Sequence, residues 1–417
     1  MKSNRVFFVE VLGQILDGEC SFSDVKSFVP EQERAFANML LLTSLRKLTF
    51  IKQEIFPLFI KKKIPHKQKI LETILYLAIT ELLFLHTPDY AVVSSYTEIA
   101  KKNQGNFSGN FVNAILRNII IHRDELLKKK NDKYFSENFS KILRQDYNSN
   151  QIAQMERFAG IEPPLNLTIK NNVSLDIKNA FLLPSGSLRL PANTQIKTIP
   201  GFEEGLWWVQ DVSASIAVKC LSSLQGKRIL DLCAAPGGKT AQLLDAGAFV
   251  TAVDISSKRM DKLVENIKRL QFTQNLKTFV ADATSFQTNE KFDIILIDAP
   301  CSATGTYRRH PEIMHTKSLE DVVKQADLQT KILNHAIEFL SVGGFIVYVT
   351  CSLAKLEGEK QMHKFVMSHP EFSIVPIDLS ETSCIRTSEG FLRILPGDID
   401  ETFGNDGFFV AILQRKS

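Results

Sequence analysis

Residues 228–240 read RILDLCAAPGGKT, and this stretch decides the fold of the second half of the chain. A short apolar run interrupted by Asp231 leads into a loop of small residues with two glycines. Thr240 then opens a polar–apolar run, TAQLLDAG, that predicts a short helix at 240–246. Strand, glycine loop and helix together make a nucleotide-type site, because glycine lets backbone approach a ligand and a helix start offers unpaired N–H groups. A phosphate-cradling Walker loop requires Gly six residues before its Lys. Position 233, six before Lys239, is Cys233, which removes that reading. A dinucleotide fingerprint requires G-x-G-x-x-G, which CAAPGGK does not supply. S-adenosylmethionine remains, since it has no pyrophosphate and needs less glycine. For the loop taken alone, an ordinary tight turn is the alternative.

The rest of the C-terminal half favours the ligand. FVTAVD ends in Asp254, LKTFVAD in Asp282 and FDIILID in Asp298, and GGFIVYVT stops just before Cys351. Helical patterns at 256–270, 319–340 and 357–368 separate these runs, and DGFFVAIL predicts one more strand. Alternating β and α segments predict a parallel sheet with helices on both faces. Ligands of such sheets bind beyond the carboxyl ends of the strands, where all four residues fall. Asp254, 23 residues after Asp231, suits ribose hydroxyls, and Asp282 can accept from an adenine amino group. Each aspartate taken singly also suits a helix N-cap.

Composition narrows the class. An apolar fraction of 44% with 23% charged residues belongs to a globular chain and argues against extended disorder. At 417 residues two or three domains are expected. Six cysteines without C-x-x-C spacing argue against a zinc site or disulfide framework and for a reducing, cytoplasmic compartment. No metal is expected, no apolar stretch is long enough to span a bilayer, and nothing indicates an oligomer. MKSNRVFFVEVLGQIL reads as a first helix, since Glu10 breaks the apolar run and no small-residue cleavage site follows.

Residues 1–130 read as a helical bundle. Phe8, Val11, Leu12 and Ile15 share one helix face, as do Leu71, Ile74, Leu75, Ala78 and Leu82, and then Val112, Ile115, Leu116 and Ile119. Asp17-Gly18, Pro30, Pro65 and Pro88 punctuate the stripes. Basic residues crowd two regions, Arg46, Lys47, Lys52, Lys61, Lys62, Lys63, Lys67 and Lys69 in one, Arg117, Arg123, Lys128, Lys129, Lys130 and Lys133 in the other. Solvated helix faces and an RNA-backbone surface are the two readings. The next part, 131–225, combines a polar linker with a helix, a break at Pro163-Pro164, strand-like pieces to about 200, and Trp207 and Trp208, read as core aromatics at a domain junction. Residues 226–417 form the α/β domain.

The segment DAPCSATGTYRRHPE, 298–312, carries a second kind of chemistry. Pro300 stiffens the approach to Cys301, Gly305 allows a sharp turn, and Arg308 and Arg309 can take phosphate oxygens. Nearby positive charge is expected to lower the Cys301 thiol pKa. Cys351, in YVTCS, also leaves a strand end. Two thiols facing one methyl-donor site suggest covalent catalysis on a pyrimidine. Addition of a thiolate to C6 of cytosine makes C5 nucleophilic enough to take a methyl group, and Asp298 is placed to stabilise the adduct near N3 or the exocyclic amine. Spacing does not rank the two cysteines.

WWVQDVSAS, LDLCAAPGGKT, AVDIS, DAPCSATGTYRRHPE, VYVTCS and DGFFVAIL occur in that order. In this the chain resembles the Sun/NOL1/NOP2 family of RNA cytosine-C5 methyltransferases. ERAFANMLLLTSLRKLTFI, LETILYLAITELLFLHTPDYAVVSSYTEIAKK and NFVNAILRNI resemble the NusB-type RNA-binding helical fold. The combination is similar to the bacterial members of the family that modify small-subunit (16S) rRNA. The resemblance implies a Rossmann-like class I methyltransferase domain behind an all-α NusB-like domain and a small α/β linker subdomain. It implies Cys351 as nucleophile, with Cys301 assisting product release. It further implies contacts to S-adenosylmethionine from Cys233, Ala234, Ala235, Pro236, Gly237, Gly238, Lys239, Asp254, Asp282 and Asp298, and an unassembled or partly assembled 16S rRNA as substrate. A tRNA methyltransferase and a non-catalytic RNA-binding assembly factor are the alternatives. After TCS the chain reads LAKLEGEK where the family has a Pro-Glu-Glu-Asn-like turn, and LNLTIKNN replaces an Arg-Val-Asn-like strand.

Overall fold

The three apolar stripes, and a fourth segment between the breaks at Pro30 and Pro65, become four long helices, Arg5–Leu16, Arg34–Phe50, Lys69–Phe84 and Asp89–Ile121. They belong to a computed structural model that describes residues 5–25, 29–61, 64–129, 133–377, 385–386 and 389–416. The chain forms two units, residues 1–140 with 310–316, and residues 141–309 with 317–417. In the first, every residue of the three sequence stripes is buried in one core. Pro65 and Pro88 stand immediately before helical turns, where a missing N–H and a fixed φ cost nothing. The last long helix is interrupted at Gly105, whose φ of +81° takes it out of helical geometry.

A buried charge ties this unit together. Glu81, fully buried, accepts from Arg5 Nε and Nη2 at 2.8 and 2.7 Å and from the Tyr96 hydroxyl at 2.7 Å. Residues 310–316 also belong to this unit. Glu312 accepts from the Phe22 N–H at 3.2 Å, and the His315 ring bonds the Leu45 carbonyl at 2.7 Å. Burial lowers the His315 pKa to about 4, so the ring is neutral at pH 7 and donates from Nε2.

The second unit holds two sheets. The smaller is antiparallel, with strands β1 (Leu165–Ile169), β2 (Phe181–Leu182), β3 (Leu188–Leu190) and β4 (Trp207–Val209) in the order β2-β3-β1-β4. Trp207 fills its core, while Trp208, pointing the opposite way along the strand, enters the core of the larger sheet.

The larger sheet contains β5 (Arg228–Leu232), β6 (Phe249–Asp254), β7 (Leu276–Val280), β8 (Phe292–Asp298), β9 (Leu340–Thr350), β10 (Phe372–Val375), β11 (Ile385–Arg386), β12 (Leu392–Ile394) and β13 (Phe408–Arg415). Its order is β11-β12-β13-β9-β8-β5-β6-β7, with β10 also on β13. Strands β5 to β9 are parallel, as the alternating pattern requires. The further strand predicted from DGFFVAIL is β13, which runs antiparallel to β9 and to β10 and β12, so the sheet is mixed on that side. The β9–β10 connection carries the helix Glu359–Ser368, and the strands beyond it pair with β13 in antiparallel register.

Side chains alternate between two cores. Ile229, Leu296, Val347 and Val349 pack with the helices Gly238–Asp245 and Ser257–Arg269. Leu230, Leu232, Ile295, Ile297 and Tyr348 pack with Leu319–Ala336 and Glu359–Ser368. The first of these helices starts two residues before the sequence pattern places it, because Gly237, at φ +98°, supplies a left-handed cap.

Two buried acids generate predictions. Arg5→Ala leaves the Glu81 charge buried without its ion pair, and should destabilise the helical unit by about 3 kcal/mol; denaturant unfolding of the variant reads this directly. Asp231, in β5, is wholly buried; Oδ2 accepts from the Thr240 hydroxyl at 2.7 Å, and Oδ1 has no partner among the described residues. Burial raises its pKa to about 7. An acid whose folded pKa lies above its unfolded value loses stability as pH rises from about 4 to 7. Asp231→Asn should therefore gain in unfolding free energy over the parent as pH rises through that window, by about 3 kcal/mol at neutrality. Equal pH profiles for the two proteins would contradict this.

Candidate active site

The order β7-β6-β5-β8-β9 reverses direction between β5 and β8. The loops leaving those two strands therefore diverge and open a crevice at their carboxyl ends. After β5 comes residues 233–237. Cys233 takes a left-handed φ of +61°, and burial pushes its thiol up to about 12, which makes it packing and not a nucleophile. At Gly237 a Cβ would sit 2.7 Å from the Leu263 side chain, so this turn against the Ser257–Arg269 helix requires glycine.

Asp254 is 2% exposed and organises the same loop. Its Oδ2 accepts from the Ala235 N–H at 3.1 Å and its Oδ1 from the Ser256 N–H at 3.0 Å. The N-cap of the following helix is Ser256, which accepts from Arg259, so capping does not account for Asp254. The next residue, Ile255, is 67% exposed at the strand end, an apolar surface the sequence reading passed over. Asp282 lies two residues beyond β7, exposed, and its Oδ1 caps a turn by accepting from the Thr284 N–H and hydroxyl at 2.8 Å each. Lys239, 8% exposed, donates to Asp298 Oδ2 at 2.7 Å and lies 5.1 Å from the centre of the Phe408 ring. The ion pair carries the glycine loop to the end of β8.

Beyond Asp298 the chain brings Cys301 to Cys351, with the sulfurs 3.4 Å apart. The loops that carry them are stitched by backbone. The Gly305 N–H donates to the Cys351 carbonyl at 2.9 Å, and the Gly305 carbonyl accepts from Gly407 at 2.9 Å. A Cβ on Gly305 would lie 2.3 Å from the Gly407 oxygen and 2.8 Å from the Cys351 oxygen. Gly305 thus serves close approach of three segments; the left-handed residue of the turn is Ala303, at φ +56°.

Two expectations for this loop are corrected. Arg308 is fully buried and bonds the Phe403 carbonyl, while Arg309 donates to Asp211 at 2.6 Å and Asp406 at 2.9 Å. Both guanidinium groups fasten the C-terminal segment and do not face a phosphate. With that charge neutralised, the Cys301 thiol pKa is raised, first by its hydrogen bond to Cys351 and then by burial.

The first basic cluster of the helical unit is also not one surface. Lys47 lies over the rings of Phe84 and Tyr134 and Lys52 over Tyr76, and burial lowers the pKa of both. Lys69 is paired with Asp17. Lys61, Lys67, Arg117 and Lys128 remain exposed. Lys62, Lys63 and Lys130 lie outside the described residues.

Sequence reading missed one group altogether. Glu357, in the divergent LAKLEGEK segment, is fully buried beneath the two cysteine loops and accepts from Ser302 and Ser352. No local signal marks it, since Ser302 is 55 positions away.

Comparison with known proteins agrees with this geometry. The family model described as 16S rRNA methyltransferase RsmB/F matches residues 218–414, and the NusB family model matches residues 3–120. A ribosomal RNA small subunit methyltransferase B of Cronobacter sakazakii is 31% identical over 441 residues, covering 99% of this chain and 98% of its own. The protein of that name from Vibrio vulnificus is 29% identical, covering 99% of each chain. The crystal structure of PH0851 shares the fold, with a TM-score of 0.72 at 22% identity over 92% of this chain and 90% of its own. The glycine loop and paired thiols at the switch point, the helical N-terminal region and a full-length relative above 30% identity lead to one assignment: the chain belongs to the ribosomal RNA small subunit methyltransferase B family, an RsmB/F methyltransferase domain joined to a NusB domain.

Proposed function

We propose that this enzyme methylates C5 of a cytosine in 16S rRNA through a covalent bond between Cys351 and C6. The observation that carries the reading is the 3.4 Å separation of two thiols at the mouth of the β5/β8 crevice. S-adenosylmethionine, when bound, supplies an electrophilic methyl group. The residues present suit it. The small residues Ala234, Pro236, Gly237 and Gly238 line one cavity with Lys239 and Asp298, the start of the Gly238–Asp245 helix offers N–H groups, and Asp254, exposed Ile255 and Asp282 line the successive strand ends.

The chain's own groups account for the rest. Cys351, as thiolate, bonds to C6, and the electron pair of the 5,6 double bond moves to C5, which takes the methyl group. Loss of the C5 proton to water restores the double bond and breaks the bond to sulfur. Cys301 stays protonated next to that sulfur and is placed to hydrogen-bond to the departing thiolate. In this scheme Asp298, ion-paired with Lys239, accepts a hydrogen bond from the exocyclic amine of the cytosine and so orients the base. The base must leave its stack for this chemistry, at a cost of a few kcal/mol. In this scheme residues 1–130 and the subdomain 131–225 bind RNA, and 226–417 performs catalysis. In the same reading the substrate is an unassembled or partly assembled rRNA, met in the cytoplasm. No helix among the described residues is long and apolar enough to cross a membrane.

The two cysteines separate experimentally. Cys351→Ala should abolish both methyl transfer and any covalent protein–RNA complex. Cys301→Ala should still transfer methyl but stall at release, giving a denaturation-resistant band that needs both 16S rRNA and S-adenosylmethionine. A band that persists in Cys351→Ala and vanishes in Cys301→Ala reverses the assignment.

A further inference from the structure

Behind the two thiols lies a hydrogen-bonded cluster made entirely of side chains that cannot reach solvent. Ser302, Thr304, Gln329, Ser352 and Glu357 are each at most 1% exposed. Ser302 and Ser352 directly follow Cys301 and Cys351. Glu357 sits where both strands of this cluster meet. Its Oε1 accepts from the Ser302 N–H at 2.8 Å and from Gln329 Nε2 at 3.1 Å. Its Oε2 accepts from the hydroxyls of Ser302 and Ser352 at 2.5 Å each. Gln329 in turn donates to the Pro300 carbonyl at 2.9 Å. One carboxylate therefore holds residues on both sides of Cys301 and the residue after Cys351.

We infer that Glu357 is a positioning residue for the reaction, which sets the separation and aim of the two thiols through Ser302 and Ser352. The inference rests on the reading of Cys351 and Cys301 as a covalent pair. A buried carboxylate is costly in a core that an apolar side chain could fill. What a planar carboxyl fork supplies here, and an apolar side chain does not, is four hydrogen-bonding positions, enough to fix two separate loops at once. Thr304 adds a direct tie, accepting from the Leu353 N–H at 2.9 Å. Nothing in the cluster touches substrate space, so its effect passes through the thiols.

The side-chain chemistry predicts how substitutions rank. In Glu357→Gln the amide oxygen can replace Oε1, where two N–H donors demand an acceptor. Its NH2 can face the two hydroxyls, which rotate to accept. Glu357→Ala leaves both loops untied. A misplacement on the order of 1 Å at reacting atoms costs about 100-fold in rate. In the full-length enzyme with 16S rRNA, we expect Glu357→Ala to lose about that factor in kcat with KM for RNA changed little. Glu357→Gln should recover most of the loss. Ser302→Ala with Ser352→Ala removes the two hydroxyls but keeps the carboxylate; it carries the test if Glu357→Ala does not fold, and should also fall in kcat.

A readout independent of methyl transfer is the rate at which diamide closes a Cys301–Cys351 disulfide, followed by mass spectrometry of the joined peptides. That rate should fall in Glu357→Ala and in the double serine variant, and recover in Glu357→Gln. Overturning results are wild-type kcat and disulfide rate in folded Glu357→Ala or double-serine protein, or a loss in Glu357→Gln equal to that in Glu357→Ala and proportional only to lowered Tm. Cys351→Ala serves as the control for the underlying reading. If it retains turnover, the covalent scheme fails, whatever the Glu357 variants do; if it is inactive while Glu357→Ala is unaffected, only the positioning inference fails.

Discussion

Strands β5 and β8 lie side by side, yet the helices that follow them pack on opposite faces of the sheet. That divergence opens the crevice around which everything else is arranged. The glycine loop follows β5, Asp298 and Cys301 follow β8, and Cys351 follows β9, the next strand over. Residues separated by more than a hundred positions thus share one edge of the sheet. The Lys239–Asp298 ion pair and the Asp254–Ala235 hydrogen bond then fix the loops relative to each other.

The crevice is held by two buried charge systems of different kinds. Arg308 and Arg309 with Asp211 and Asp406 fasten the C-terminal segment behind the 301–309 loop. Breaking such a network exposes its partners to the cost of an unpaired buried charge, so it specifies one loop conformation strongly. Glu357 works differently, since its partners are hydroxyls, an amide and a backbone N–H. Burial raises its pKa. Between these systems Gly305 lets three backbone segments meet at hydrogen-bonding distance, where any side chain would push them apart.

Much of this was legible in the sequence because it depends on local periodicity. The three apolar stripes of the helical unit, the parallel strands from RILDL to GGFIVYVT and the position of Asp254, Asp282, Asp298 and Cys351 at or just beyond strand ends all follow from spacing. The antiparallel return of β13 was not legible, because DGFFVAIL carries no mark of its direction. Arg308 and Arg309 misled for a related reason. Their partners Asp211 and Asp406 lie about a hundred positions away, and a charged pair in a loop looks the same whether it faces solvent or a buried carboxylate. Lys47 and Lys52 were misread likewise, their ammonium groups lying over aromatic rings. Glu357 was invisible because its bonds to Ser302 and Gln329 span 55 and 28 positions, and a serine five residues before a glutamate carries no signal of its own.

The covalent step itself admits a direct measurement. In 16S rRNA transcribed with 5-fluorocytidine, the fluorine at C5 cannot leave as the proton does, so elimination is blocked and the bond to sulfur persists. Digestion of the trapped complex with protease and nuclease, followed by mass spectrometry, locates the nucleotide. The account predicts a methylated fluorocytidine nucleotide on the peptide containing Cys351. A nucleotide carried by the Cys301 peptide, or no covalent complex under conditions where unmodified RNA is methylated, would contradict it.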